Sequence, residues 1–79
     1  MTELPLTLDR LVPGEHATVA RIAGQGPLRR RLMDMGLTRG VRVEVLKVAP
    51  MGDPIEYRVR GYNLSLRKSE ARLVEVEPS

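Results

Sequence analysis

Apolar positions along this chain switch period between a helical and an alternating spacing. From Gly26 to Gly40, GPLRRRLMDMGLTRG, the apolar residues Leu28, Leu32 and Met35 fall on one face at about 100° per residue, while Arg29, Arg30 and Met33 point the other way. Both ends of this helix are marked. Pro27 suits the first helical position, where its missing N–H has no intrahelical partner, and Gly26 is then the cap. Gly36 can turn left-handed after Met35 and Leu37 can fold back onto Leu32, so the helix is expected to end near Met35 in a Schellman stop.

Beyond Gly40, Val41, Val43 and Val45 alternate with Arg42 and Glu44, which predicts a strand. The phase slips at Val45-Leu46, after which Leu46 and Val48 carry the pattern, as a bulge would require. Pro50-Met51-Gly52-Asp53-Pro54 cannot continue a strand and forms a loop tip. Ile55, Tyr57 and Val59 alternate with Glu56, Arg58 and Arg60, and after a turn at Gly61 so do Leu64 and Leu66 with their neighbours. Lys68 to Arg72 allows one helical turn, and Leu73 to Val76 a last strand. Near the start, Pro13–Gly14 suits the centre of a type II turn leading into a strand over His16 to Ile22. Five short strands with one helix predict a mainly β fold, a small SH3-like antiparallel barrel with the short α-helix inserted between the first two strands, as one domain over residues 1–79.

Composition narrows the picture. A chain of 79 residues buries only about 60% of its unfolded surface, and with two Tyr, no Phe and no Trp its thin core must be built from Val, Leu, Ile and Met. The absence of Cys removes disulfides, thiolate metal sites and thiol nucleophiles, and fits a reducing compartment. Glu3, Pro5 and Asp9 interrupt Met1 to Val12, and no run of about 18 apolar residues occurs, so a soluble, unexported, cytoplasmic protein is expected. The net charge of +3 favours an acidic surface or nucleic acid without choosing between them.

An enzyme needs a nucleophile or a tuned acid–base group, and a single His with no Ser placed beside a base argues against catalysis; no catalytic residue is expected. Gly24 and Gly26 lack the third glycine of a dinucleotide fingerprint, and no phosphate-cradling glycine-lysine-serine/threonine loop exists. For Fe(II), the only neighbouring pair of suitable ligands is Glu15-His16, which reads better as a solvated turn. Four Met suit Cu(I) better than iron, and Met35 is expected in the core. No metal site and no cofactor are expected. Tyr57 and Tyr62 cannot build the aromatic groove that binds proline-rich peptides, nor a base-stacking platform. A phosphate-only contact through Arg29, Arg30, Arg31, Arg58, Arg60, Arg67 and Arg72 is the alternative function: a basic SH3-like module for nucleic acid or a ribonucleoprotein.

Leu28-Arg29-Arg30-Arg31-Leu32, the Met35-Gly36-Leu37 stop, Gly40, Ala49 to Pro54, Gly61, and Leu66-Arg67 followed by Glu70-Ala71 together resemble FeoA, the small cytosolic component of bacterial ferrous iron transport. The resemblance runs from Leu6 to Val76. It implies an SH3-like barrel, and a partner, FeoB, a membrane permease with a cytosolic GTPase domain whose activity the FeoA component tunes. Similar domains end iron- and manganese-dependent repressors, whose DNA-binding and metal-sensing parts are absent here. The expected function is therefore a non-enzymatic accessory of ferrous iron transport, linked to transition metal ion handling, with no nucleic acid bound, contact with a membrane only through the partner, and at most weak homo-oligomers. Met33, apolar among arginines, is the expected anchor, and Met51 a second one at the loop tip. The expected contact comprises Leu28, Arg29, Arg30 and Met33 on the helix and Pro50, Met51, Gly52, Asp53 and Pro54 on the loop.

Overall fold

Burial alternates along the long strands and changes phase where one strand carries an extra residue. The computed structural model describes residues 5–78; residues 1–4 and 79 of the domain expected over 1–79 lie outside the described residues. Strands β1 (Leu6–Thr7), β2 (His16–Ile22), β3 (Arg42–Val48), β4 (Ile55–Val59), β5 (Tyr62–Leu66) and β6 (Val74–Pro78) form one antiparallel sheet in the order β1-β6-β2-β3-β4-β5. Helix α1 spans Pro27–Asp34, the single turn α2 spans Lys68–Ala71, and a 3-10 turn covers Leu8–Arg10. The fold is mainly β, as expected, with six strands where about five were expected. The addition is β1, whose two residues are too short to show a period, and it places α1 between the second and third strands.

Two bulges bend this sheet. Val19 faces Val76 while Arg21 faces Glu75, so Ala20 is the extra residue in β2, and burial passes from Ala17 and Val19 to Ile22. In β3, Val45 faces Tyr57 and Lys47 faces Glu56, which makes Leu46 the extra residue at the expected slip. Val48 does not carry the inward pattern: it is exposed, because β3 is already leading out into the Ala49–Pro54 loop.

The core is aliphatic around one aromatic ring. Leu8, Leu32, Leu37, Val43, Val59 and Leu66 are fully buried together with Tyr57. The Tyr57 hydroxyl donates to the Leu8 carbonyl at 3.2 Å, tying β4 to the 3-10 turn, at the far side of the sheet order. Burial, with a smaller contribution from the Asp9 carboxylate, pushes the Tyr57 phenol well above its ordinary value. The Pro13–Gly14 turn closes as expected, with Glu15 N–H donating to Val12 C=O at 3.0 Å and the Glu15 carboxylate accepting from Val12 N–H at 2.8 Å.

Helix α1 ends as its sequence dictates. Leu37 N–H donates to Leu32 C=O at 3.2 Å and Gly36 N–H to Met33 C=O at 3.0 Å, the paired bonds of a Schellman motif. Gly36 has φ +99°, and the Tyr62 hydroxyl, which donates to Met35 C=O, lies where a Cβ on Gly36 would project. The expected buried stripe is shorter than its spacing suggested. Leu32 is buried and Met35 half-buried, but Leu28 is 36% exposed, because only the C-terminal part of α1 rests on the sheet and residues 27–31 all face solvent. No helix among the described residues is long and apolar enough to cross a membrane.

Candidate protein-interaction site

Because the buried side of α1 is narrow, its outward side is broad. Arg29, Arg30, Met33 and Asp34 line a shallow depression with Gly26 and Pro27. Met33, 37% exposed, also belongs to an adjoining groove in which Ala20, Arg21 and Ile22 of β2 face Arg29 of α1 and Thr38 and Arg39 of the turn after it. Of the expected helix residues, Arg29, Arg30 and Met33 thus share one surface, whereas Leu28, though exposed, does not line it. Arg21, Thr38 and Arg39 were missed. Their place beside Met33 depends on how far β2 outruns β3, which no local pattern reports.

Neighbouring groups hold the arginines differently. Arg29 Nε donates to Ile22 C=O at 3.3 Å. Arg31 reaches Glu70 at 3.5 Å, and Glu70, nearly buried, also accepts from Arg67 N–H at 2.8 Å, the return half of a capping box at the start of α2. Arg21 lies 3.7 Å from Glu75. Among the described residues, Arg30 and Arg39 have no ion pair, so unpaired positive charge lies on both sides of Met33.

The Pro50–Pro54 loop stands apart from this surface. Met51 is 93% exposed at its tip, alone, while Asp53 and Pro54 line a small recess with Arg67. Gly52 N–H donates to Ala49 C=O at 2.7 Å, and Asp53 Oδ1 accepts from Lys68 N–H at 2.8 Å, so the Asp53 carboxylate is committed to the start of α2. Loop and helix both reach α2, which Asp53 holds at its start and Arg31 through Glu70.

Two other features bear on function. Arg42, Glu44 and Arg58 of β3 and β4 line one recess with Arg60 of the turn after β4, and Glu44 lies directly opposite Arg58. No three His, Asp or Glu side chains among the described residues come together as a metal ion would need; Glu15 and His16 line a recess with Leu6, Arg10, Leu11, Gly14 and Pro78.

A family model of the FeoA domain matches residues 6–78. The chain belongs to the FeoA family. It is 39% identical over 72 residues to an Fe(2+) transport protein A/Fe(2+) transporter FeoB fusion protein of Porphyromonas gingivalis, covering 91% of this chain and spanning 8% of the length of that relative. Its fold matches that of a FeoA-like protein from Clostridium acetobutylicum with a TM-score of 0.88 and 44% identity, over 99% of this FeoA chain and 90% of that one. A zinc complex of FeoA from Stenotrophomonas maltophilia, described as a prokaryotic SH3 domain protein and a candidate ferrous iron transport activating factor, matches with a TM-score of 0.80 and 29% identity, over 91% and 89% of the two chains. The SH3-like expectation for this FeoA domain is met.

Proposed function

We propose that this FeoA-family chain is a non-enzymatic accessory of ferrous iron transport that acts at the cytoplasmic face, docking on a FeoB-type permease through the outer face of α1 and modulating its activity. The observation that carries this reading is the relative in which a FeoA-like segment and an FeoB transporter share one polypeptide, which keeps the two at high effective concentration. The surface of α1 supports it: Met33 offers a pliable apolar contact, and Arg29 and Arg30 beside it would steer an acidic partner. The Pro50–Pro54 loop is a secondary contact through Met51, with Asp53 holding the loop in place.

The test is a titration of the labelled protein with the cytosolic GTPase domain of its permease and with the whole permease in detergent, each with and without guanine nucleotide. Amide shifts at residues 28–36 and 50–54 are expected, and their absence with both preparations overturns the reading. The face bearing Arg42, Arg58 and Arg60, which form no ion pair among the described residues, favours one alternative, phosphate contact with nucleic acid. Binding to RNA or DNA that weakens steeply with salt would support it.

A further inference from the structure

Strand β2 outruns its neighbour. Its ladder with β3 ends at Thr18 opposite Arg42, and Val19 closes it by donating to Val41 C=O at 2.8 Å and accepting from Gly40 N–H at 2.9 Å. From Ala20 to Ile22 the strand pairs only with β6. On that side Ala23 N–H donates to Leu73 C=O at 2.7 Å, the bond that flanks a non-hydrogen-bonded pair, here Ile22 with Val74. The N–H and C=O of Ile22 therefore point away from β6, into the groove beside α1. What meets the carbonyl is Arg29 Nε at 3.3 Å, in the position a neighbouring strand's N–H would occupy.

We propose that this groove takes an extended, acidic segment of the protein partner, added as a short strand beside Ile22. This inference rests on the docking through α1 proposed above and names the chemistry of what docks. One backbone unit of the incoming segment accepts from Ile22 N–H and donates to Ile22 C=O, displacing Arg29. The guanidinium so released pairs with a carboxylate along the same segment, as Arg39 does from the other end of the groove, and an apolar side chain between them rests on Met33. The charge of the surroundings selects an acidic segment: Arg30 and Arg39 have no ion pair among the described residues, Arg29 is held only by a carbonyl, and Asp34 is the one carboxylate lining either depression. Since one pair of backbone bonds fits, most of the affinity comes from the arginines, and binding is weak and salt-sensitive.

The test uses the full chain and a short peptide in which glutamate and leucine alternate at every second position with serine between them, so that both share one face of the extended segment. Controls are the matching lysine–leucine peptide and a glutamate–leucine peptide whose backbone nitrogens are methylated. Expected are amide shifts centred on Ile22, Arg29, Met33 and Arg39, a loss of about tenfold in affinity on Arg29→Gln, a similar loss with the methylated peptide, and no binding of the lysine peptide. Absence of binding, equal binding of the methylated peptide, or shifts centred on Arg42, Arg58 and Arg60 would each overturn the inference. If the permease domain binds and Met33→Asp abolishes this while Arg29→Gln leaves it unchanged, the acidic segment is wrong and the permease reading stands. If the peptide binds as expected and the permease does not, the groove stands and the partner is another protein.

Discussion

Replacing Gly36 by Ala separates two demands that meet at the end of α1. The first is the backbone, at φ +99°, where a Cβ costs about 1–2 kcal/mol. The second is space, because the new methyl would displace the Tyr62 hydroxyl and break its bond to the Met35 carbonyl, a further 0.5–1.5 kcal/mol, roughly. Gly36→Ala should therefore cost about 2–3 kcal/mol, which in a domain of this size lowers the melting temperature by roughly 10–20 °C. Gly14 provides the control: its φ is +94° and nothing lies within 4 Å of the place a Cβ would take, so Gly14→Ala should show the backbone cost of about 1–2 kcal/mol alone. In a Tyr62→Phe background, where the obstructing oxygen is gone, the cost of Gly36→Ala should fall to that of Gly14→Ala. Urea titrations of the four variants, followed by far-UV circular dichroism, give the free energies from midpoints and slopes. A Gly36→Ala cost equal to that of Gly14→Ala, or one that Tyr62→Phe leaves unchanged, would refute the steric half of the argument.

Leu32→Ala removes a fully buried side chain shared by α1 and the core and should cost about 2–5 kcal/mol by thermal melting; an unaltered melting curve would place the helix the wrong way round. Met33→Asp should leave melting unchanged and weaken binding to the permease domain by calorimetry. Asp53→Ala should cost about 1 kcal/mol in urea, since its carboxylate accepts from the first N–H of α2, whereas Asp53→Asn should cost less. The phenol of Tyr57 is raised above its ordinary value of 10.0, so the native state keeps its proton after the unfolded chain has begun to lose it. Stability is then fully present below pH 10.0 and falls above it, by up to about 1.4 kcal/mol per pH unit, and urea midpoints should fall more steeply for the wild type than for Tyr57→Phe.

Features written in neighbouring residues were the legible ones. Gly26-Pro27 and Met35-Gly36-Leu37 fixed both ends of α1 because caps act within a turn. The bulge at Leu46 showed itself as two apolar residues in succession, Val45 and Leu46, whereas the one at Ala20 did not, since a small residue between Val19 and Arg21 hides a phase change. Leu28 misled because helical spacing identifies a face without saying how much of its length has something to lie on. Asp53 was expected only as part of the contact loop, because the N–H it accepts from, that of Lys68 in α2, lies fifteen residues on. The groove beside Ile22 was illegible for a deeper reason: it exists because β3 stops short of β2, a relation between strands separated by the whole of α1.

The way β6 lies against β2 also governs what a tether can do. Pro78 is paired with Ala17, near one end of β2, while α1 departs after Ile22 at the other, where Val74 is the partner. A flexible connector attached after Pro78 thus starts at the opposite pole from the arginine-lined groove. Five residues of strand separate Ala17 from Ile22, about 17 Å at roughly 3.4 Å per residue, and a glycine- and serine-rich chain covers roughly 5–6 Å times the square root of its length, so about ten residues are needed before its average reach equals that span. Shorter connectors hold the groove facing outward, available to a separate molecule, and longer ones let it swing back onto whatever the connector joins. In an engineered fusion, connector length alone would decide between the two.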